Sequence, residues 1–127
     1  MAINEVKSIN APQAIGPYSQ AINCNGFCFL SGQIPLDKTG NLVEGDLRAQ
    51  AEQVFKNIEA ILIEQEASLK NLIKLNVYLI DIRDFDTVNS LMTELFETPY
   101  PARALVEVSA LPKNSSIEIE AIASIPL

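Results

Sequence analysis

The chain has no histidine, no tryptophan and only two cysteines among its 127 residues. Without histidine there is no Ser-His-Asp or Cys-His nucleophile, no histidine-based hydrolysis of RNA and no His-ligated zinc. Any chemistry must come from carboxylates, Arg, Lys, Tyr, hydroxyls, backbone groups or water. Positive charge is also scarce: 9 Lys and Arg face 16 Asp and Glu, for a net charge of −7. The basic residues are scattered, so nothing tracks a phosphate backbone and general nucleic-acid affinity is disfavoured. Apolar runs such as Ala60 to Ile63 are far shorter than the roughly twenty residues of a membrane span. Met1 to Gln20 shows no apolar core of a secretory signal. These absences lead us to expect no membrane association and a cytoplasmic location.

What is present reads as one globular domain over residues 1–127. Apolar residues make up 48% and charged ones 20%, enough for a real core without staples. Asn25-Gly26 between apolar segments predicts a hairpin of Ser19–Cys24 with Phe27–Ile34, because both central turn positions need positive φ. That pairing sets Cys24 and Cys28 on opposite faces, which disfavours a disulfide and suits the reducing cytosol. Two cysteines also fall short of a structural zinc site. Asp46 predicts the cap of a helix running to about Glu66, with one apolar stripe from Leu47 to Leu62. Ile73–Leu79 alternates as a strand, a second helix follows over about Asp84–Phe96, and Pro99 and Pro101 end it. Ala102–Val108 and Ser116–Ala123 read as further strands, and another is expected near the N-terminus. The order β-β-α-β-α-β-β predicts a mixed sheet with two helices on one face. On this reading Val77, Val106, Ile117 and Ile119 make the other face apolar and call for cover by other subunits.

Several side chains could carry chemistry. Arg103 is a lone cation in the apolar strand Ala102–Val108. It reads either as a fork for a small carboxylate or as the cation of a structural ion pair with Glu118 or Glu120. Glu118 reads as an outward strand carboxylate, or as a group that holds or deprotonates a water, its pKa set by burial and by Arg103. Tyr18 is either turn packing or a phenol edging a pocket. Asn89 lies on the apolar side of the second helix and must find hydrogen-bond partners if buried. No phosphate loop, metal cluster or dinucleotide fingerprint is present.

Gly16-Pro17-Tyr18-Ser19-Gln20-Ala21, Ser31-Gly32-Gln33-Ile34-Pro35 and Pro101-Ala102-Arg103 resemble motifs of the Rid (YjgF) family of reactive-intermediate deaminases. Leu111-Pro112-Lys113 followed by Ile117-Glu118-Ile119-Glu120-Ala121 is similar to that family's ending, and the resemblance covers nearly the whole chain. It implies a chorismate-mutase-like α+β fold assembled as a homotrimer, with active sites between subunits. It implies cofactor-independent hydrolysis of 2-imino acids, released by pyridoxal-phosphate enzymes, to 2-keto acids and ammonia. It maps the carboxylate-binding Arg onto Arg103 and the water-associated Glu onto Glu118, and it places Tyr18, Ser31, Gly32 and Asn89 in or near the pocket. Leu105 stands where many relatives carry cysteine, so a catalytic thiol is not expected, although the Leu105 N–H can still contact substrate. The competing functions are a non-enzymatic module for small carboxylates such as keto acids and an endoribonuclease or translation inhibitor, an older label of the family. A chaperone role is a weaker alternative.

Overall fold

A computed structural model describes residues 2–125 of the chain. Asn25 and Gly26, at φ 54° and 81°, occupy the left-handed region that the hairpin turn demands. They join strand β2 (Ala21–Cys24) to β3 (Phe27–Gln33), with Cys24 opposite Phe27 and Asn23 opposite Cys28. The two thiols are free and lie on opposite faces, Cys28 buried and Cys24 half-buried. The expected N-terminal strand is β1 (Asn4–Val6), paired with β2.

Helix α1 (Leu47–Ile63) begins where Asp46 accepts the Ala49 N–H at 2.9 Å. It ends short of the expected Glu66, which takes φ 59° as the chain turns back toward the sheet. Val54, Phe55, Ile58, Ile61 and Leu62 form its buried stripe. Strand β4 (Leu72–Leu79) follows, then a single 3-10 turn and helix α2 (Phe85–Leu95). The last two strands are β5 (Ala102–Glu107) and β6 (Ile117–Ser124).

The six strands form one sheet in the order β1-β2-β3-β6-β4-β5. β4 and β5 are parallel, as a crossover through α2 requires, and every other pairing is antiparallel. This leaves β5 at an edge and β6 near the middle. Both helices pack on one face, against Leu75, Val77, Leu79, Ile117 and Ile119. Each large apolar side chain buried there is worth about 1.5–3 kcal/mol.

That packing corrects one expectation. Val77, Ile117 and Ile119 belong to the helix-covered core rather than to the uncovered face, and of the four only Val106 is exposed. The alternation of a strand has the same period whichever face it serves, so the pattern alone leaves the side open. The uncovered face carries Asn76, Tyr78, Glu118 and Glu120 at its centre, with Phe29 beside Ile122 and Val106 beside Tyr78.

Two amides on α1 fasten the segment after β3. The fully buried Asn57 donates from Nδ2 to the carbonyls of Ile34 (3.3 Å) and Leu36 (2.9 Å). Gln50 donates to the Val43 carbonyl and accepts the Ser116 N–H, each at 3.1 Å.

Candidate functional site

The sequence Ile117-Glu118-Ile119-Glu120 sends its isoleucines into the core and both carboxylates to the uncovered face. Beside Glu118 the pairing of β3 with β6 is interrupted between Leu30 and Gln33. Gly32 lies in that irregularity, and a Cβ there would overlap the Glu118 carboxylate. Glycine is needed here for close approach rather than for backbone freedom. Ser31 donates its N–H to the Gln20 carbonyl at 2.9 Å and its hydroxyl to the Ser19 carbonyl at 2.6 Å. These bonds hold the preceding segment so that Tyr18, whose hydroxyl accepts the Ile15 N–H at 3.2 Å, stands at the rim. Together these groups line a cleft of about 430 Å³, with Ile15, Ile34, Leu36 and Pro112 as its apolar walls.

Glu118 accepts no hydrogen bond among the described residues. Burial pushes its carboxyl above the ordinary value, and the neighbouring Glu120 carboxylate adds to the shift. Glu120 lines the same cleft but is engaged: its Oε1 accepts from Asn76 Nδ2 at 3.1 Å and from the Tyr78 hydroxyl. The bond to Glu120 pushes the Tyr78 phenol up to about 12, with burial and the two carboxylates adding to it.

Arg103 lies elsewhere. It projects from the edge strand β5 toward the helix side, where Nη1 donates to Asn89 Oδ1 at 2.8 Å and contacts Met92 Sδ at 3.4 Å. Its guanidinium sits over the Phe85 ring, 5.5 Å from the centroid. Asn89 thus meets its polar requirement by orienting the arginine. Arg103, Asn89, Met92, Thr93, Tyr100 and Pro101 line a separate hollow of about 270 Å³. Leu105 is half-buried on the same side of β5, with its side chain packed against the core.

Two readings are overturned by this geometry. Arg103 makes no ion pair with Glu118 or Glu120, because β4 lies between β5 and β6 and the side chains leave opposite faces of the sheet. The raised Glu118 pKa likewise owes nothing to Arg103; burial and Glu120 cause it. The residues singled out in the sequence fall into two groups within one chain. Tyr18, Ser31, Gly32 and Glu118 share one cleft, whereas Arg103 and Asn89 share the other hollow, with Leu105 on the neighbouring stretch of strand. Sequence reasoning missed Glu120 as a member of the first cleft, and Tyr78 as the residue that bonds it from β4. The signal was present in the matching alternations of Asn76-Val77-Tyr78 and Glu118-Ile119-Glu120, whose polar members face each other across the β4–β6 pairing. No cluster of three or more Cys, Asp or Glu side chains suited to a metal occurs among the described residues.

Residues 8–125 match the sequence profile of a family described as Endoribonuclease L-PSP. The chain is 54% identical over 115 residues to a RutC family protein of Pyrococcus horikoshii, covering 90% of this chain and 91% of that protein. It is 44% identical over 119 residues to a 2-iminobutanoate/2-iminopropanoate deaminase of Homo sapiens, covering 93% and 87% respectively. Its fold superposes on the crystal structure of Escherichia coli TdcF with bound serine at a TM-score of 0.88 and 35% identity, over 97% of this chain and 99% of that one. Motifs, fold and relatives agree, and the chain belongs to the Rid (YjgF) family, the family of the L-PSP profile.

Proposed function

We propose that this protein hydrolyses 2-imino acids such as 2-iminobutanoate and 2-iminopropanoate to 2-keto acids and ammonia, in clefts between the subunits of a homotrimer. The observation that carries this reading is the separation of Arg103 from Glu118 by the thickness of the sheet. In a 2-imino acid the carboxylate is bonded directly to the reacting carbon, so its binder and the group that handles water must converge within a few ångström. A head-to-tail contact in which the Arg103 hollow of one copy meets the Glu118 cleft of the next completes the site, and repetition closes a ring. The exposed Phe29 and Val106 on the uncovered face, and the free edge of β5, suit such an association.

The chemistry needs no nucleophilic side chain. With Nη1 on Asn89 and Phe85 behind the guanidinium plane, the remaining N–H groups of Arg103 form the fork for the substrate carboxylate. Water held by Glu118 adds to the protonated imine carbon while its proton passes to the carboxylate. The resulting carbinolamine takes that proton on nitrogen, the C–N bond breaks as the C=O forms, and the hydroxyl proton passes through Glu118 to the departing ammonia. Iminium and water become keto acid and ammonium, with Glu118 restored. Burial favours proton traffic here by raising the Glu118 pKa. The deaminase name of the human relative and the serine bound to TdcF, which carries an α-carboxylate, support the substrate class. The paired carboxylates at the cleft oppose phosphate, which weighs against RNA as substrate. Two free thiols on opposite sheet faces suit the cytoplasm, alongside the pyridoxal-phosphate enzymes that release such imines.

The test generates 2-iminobutanoate with a threonine dehydratase and follows keto-acid formation in competition with semicarbazide, while sedimentation equilibrium gives the mass. Wild type should accelerate keto-acid release and sediment near three times the 13.9 kDa chain. Arg103→Lys, which retains charge but not the fork, should sediment identically yet lose at least about a hundredfold in rate. A fully active monomer, or Arg103→Lys with intact turnover, would sink the reading.

A further inference from the structure

The two carboxylates of β6 line one cleft but are held very differently. In the β4–β6 pairing Tyr78 stands directly opposite Glu118 and Asn76 opposite Glu120. The Tyr78 hydroxyl nevertheless donates diagonally, to Glu120, which Asn76 Nδ2 also reaches at 3.1 Å. The sheet therefore spends both donors on Glu120 and leaves Glu118 unbonded. Gly32 keeps the space that lets the unbonded carboxylate face the cleft.

We propose that Glu120, locked by Tyr78 and Asn76, is a positioning residue that keeps Glu118 free and poised for proton transfer. The proposal rests on Glu118 being the group that handles water in the deamination. Two carboxylates whose surroundings differ this much can divide the work, one fixed as a negative charge and the other exchanging a proton. The groups facing Glu118 support the division. On β6 its charged neighbour is Glu120; on β4 it faces the uncharged Tyr78 phenol; β3 presents Ser31, Gly32 and Gln33, none of them charged; the N-terminal segment contributes the Tyr18 phenol. Lys74 on β4 lies beyond Asn76 and outside the cleft, so among the described residues no cation lines the cleft to offset the repulsion. In the assembled protein the neighbour's Arg103 adds a fixed cation that acts equally on wild type and on a Glu120 variant, and the difference between them isolates Glu120.

Glu120→Gln is the incisive variant, because its carbonyl oxygen can still accept from Tyr78 and Asn76 while the charge disappears. Carboxyl-detected NMR of carbon-13-glutamate-labelled protein follows the Glu118 titration, assigned by its loss in Glu118→Gln, beside the pH profile of kcat/KM. The expected result is a lower Glu118 midpoint, an acidic limb displaced downward by the same amount, and a several-fold lower plateau, since a weaker base accepts a proton less readily. Tyr78→Phe, which keeps both charges but frees Glu120 to swing, should move the midpoint in the same direction by less; it also serves if Glu120→Gln fails to fold. An unmoved Glu118 midpoint in a folded variant would overturn the role of Glu120 alone. A midpoint that moves without the limb would overturn Glu118 as the group whose protonation sets the rate, and with it the positioning role.

Discussion

The two faces of the sheet obey different rules. On the covered face Leu75, Val77, Ile117 and Ile119 are at most 1% exposed and belong to the hydrophobic core. On the other face the same strands present Asn76, Tyr78, Glu118 and Glu120, half-buried and paired unevenly. The covered face maximises area removed from water, and substitution there acts on the fold. The open face tolerates a half-buried, repelled carboxylate, which costs stability and fits the proposed chemistry. One strand serves both tasks because its side chains alternate.

This contrast can be broken most forcefully from the core side. Ile119→Ala should destabilise the chain by about 2–5 kcal/mol, the usual range for emptying a packed aliphatic site. Urea titration at fixed protein concentration measures it. Phe29→Ala, on the open face and 47% exposed, should instead lower the sedimenting mass with little change in the fold of the chain. A Phe29→Ala loss as large as that of Ile119→Ala would erase the distinction between the faces.

Glu118→Gln sharpens it next. A carboxyl whose folded pKa is raised contributes stability that is present at acidic pH and lost as pH rises through the raised value. Glutamine has no such dependence. Melting curves from pH 4 to 8 should therefore show Glu118→Gln gaining on wild type with rising pH and at least matching it near neutrality. Its imine hydrolysis should fall by about a hundredfold, the low end of what a positioned acid–base group supplies. A variant less stable than wild type at every pH would return Glu118 to a structural role.

The smallest effect is expected at Gly32. Alanine there must push the Glu118 carboxylate aside without removing it. Because the obstructed group is the end of a flexible side chain, melting should shift by only a few degrees. Turnover should fall about tenfold through misplacement of the water. Steady-state kinetics beside a melting curve separates the two, and unchanged turnover would mean that the position of the carboxylate is irrelevant.

Local pattern made most elements readable. Asn25-Gly26 announced the hairpin and even its register, and Asp46 announced the start of α1. The Rid motifs brought Arg103, Glu118 and their companions forward before any geometry was known. What sequence could not carry was long-range placement. Nothing in Ala102–Val108 says that β5 pairs with β4 in parallel at the edge, so a pairing of Arg103 with the next strand along the chain looked reasonable. Nor does alternation say which side the helices take, so it leaves open that Val77, Ile117 and Ile119 belong to the covered face. The diagonal choice of Tyr78 for Glu120 is a matter of side-chain reach, invisible in spacing alone.

Asn57 carries a consequence for motion. Its amide holds the carbonyls of Ile34 and Leu36, the apolar wall of the cleft, to a helix whose own stripe is the centre of the core. Gln50, two turns earlier on that helix, holds Val43 and the residue that leads into β6. Displacing this part of the wall therefore means breaking the Asn57 bonds, whose buried amide would be left without partners. The N–H groups of Leu36 and Val43, bonded to the Ile34 and Pro35 carbonyls, should exchange with deuterium more slowly than those of the exposed loops.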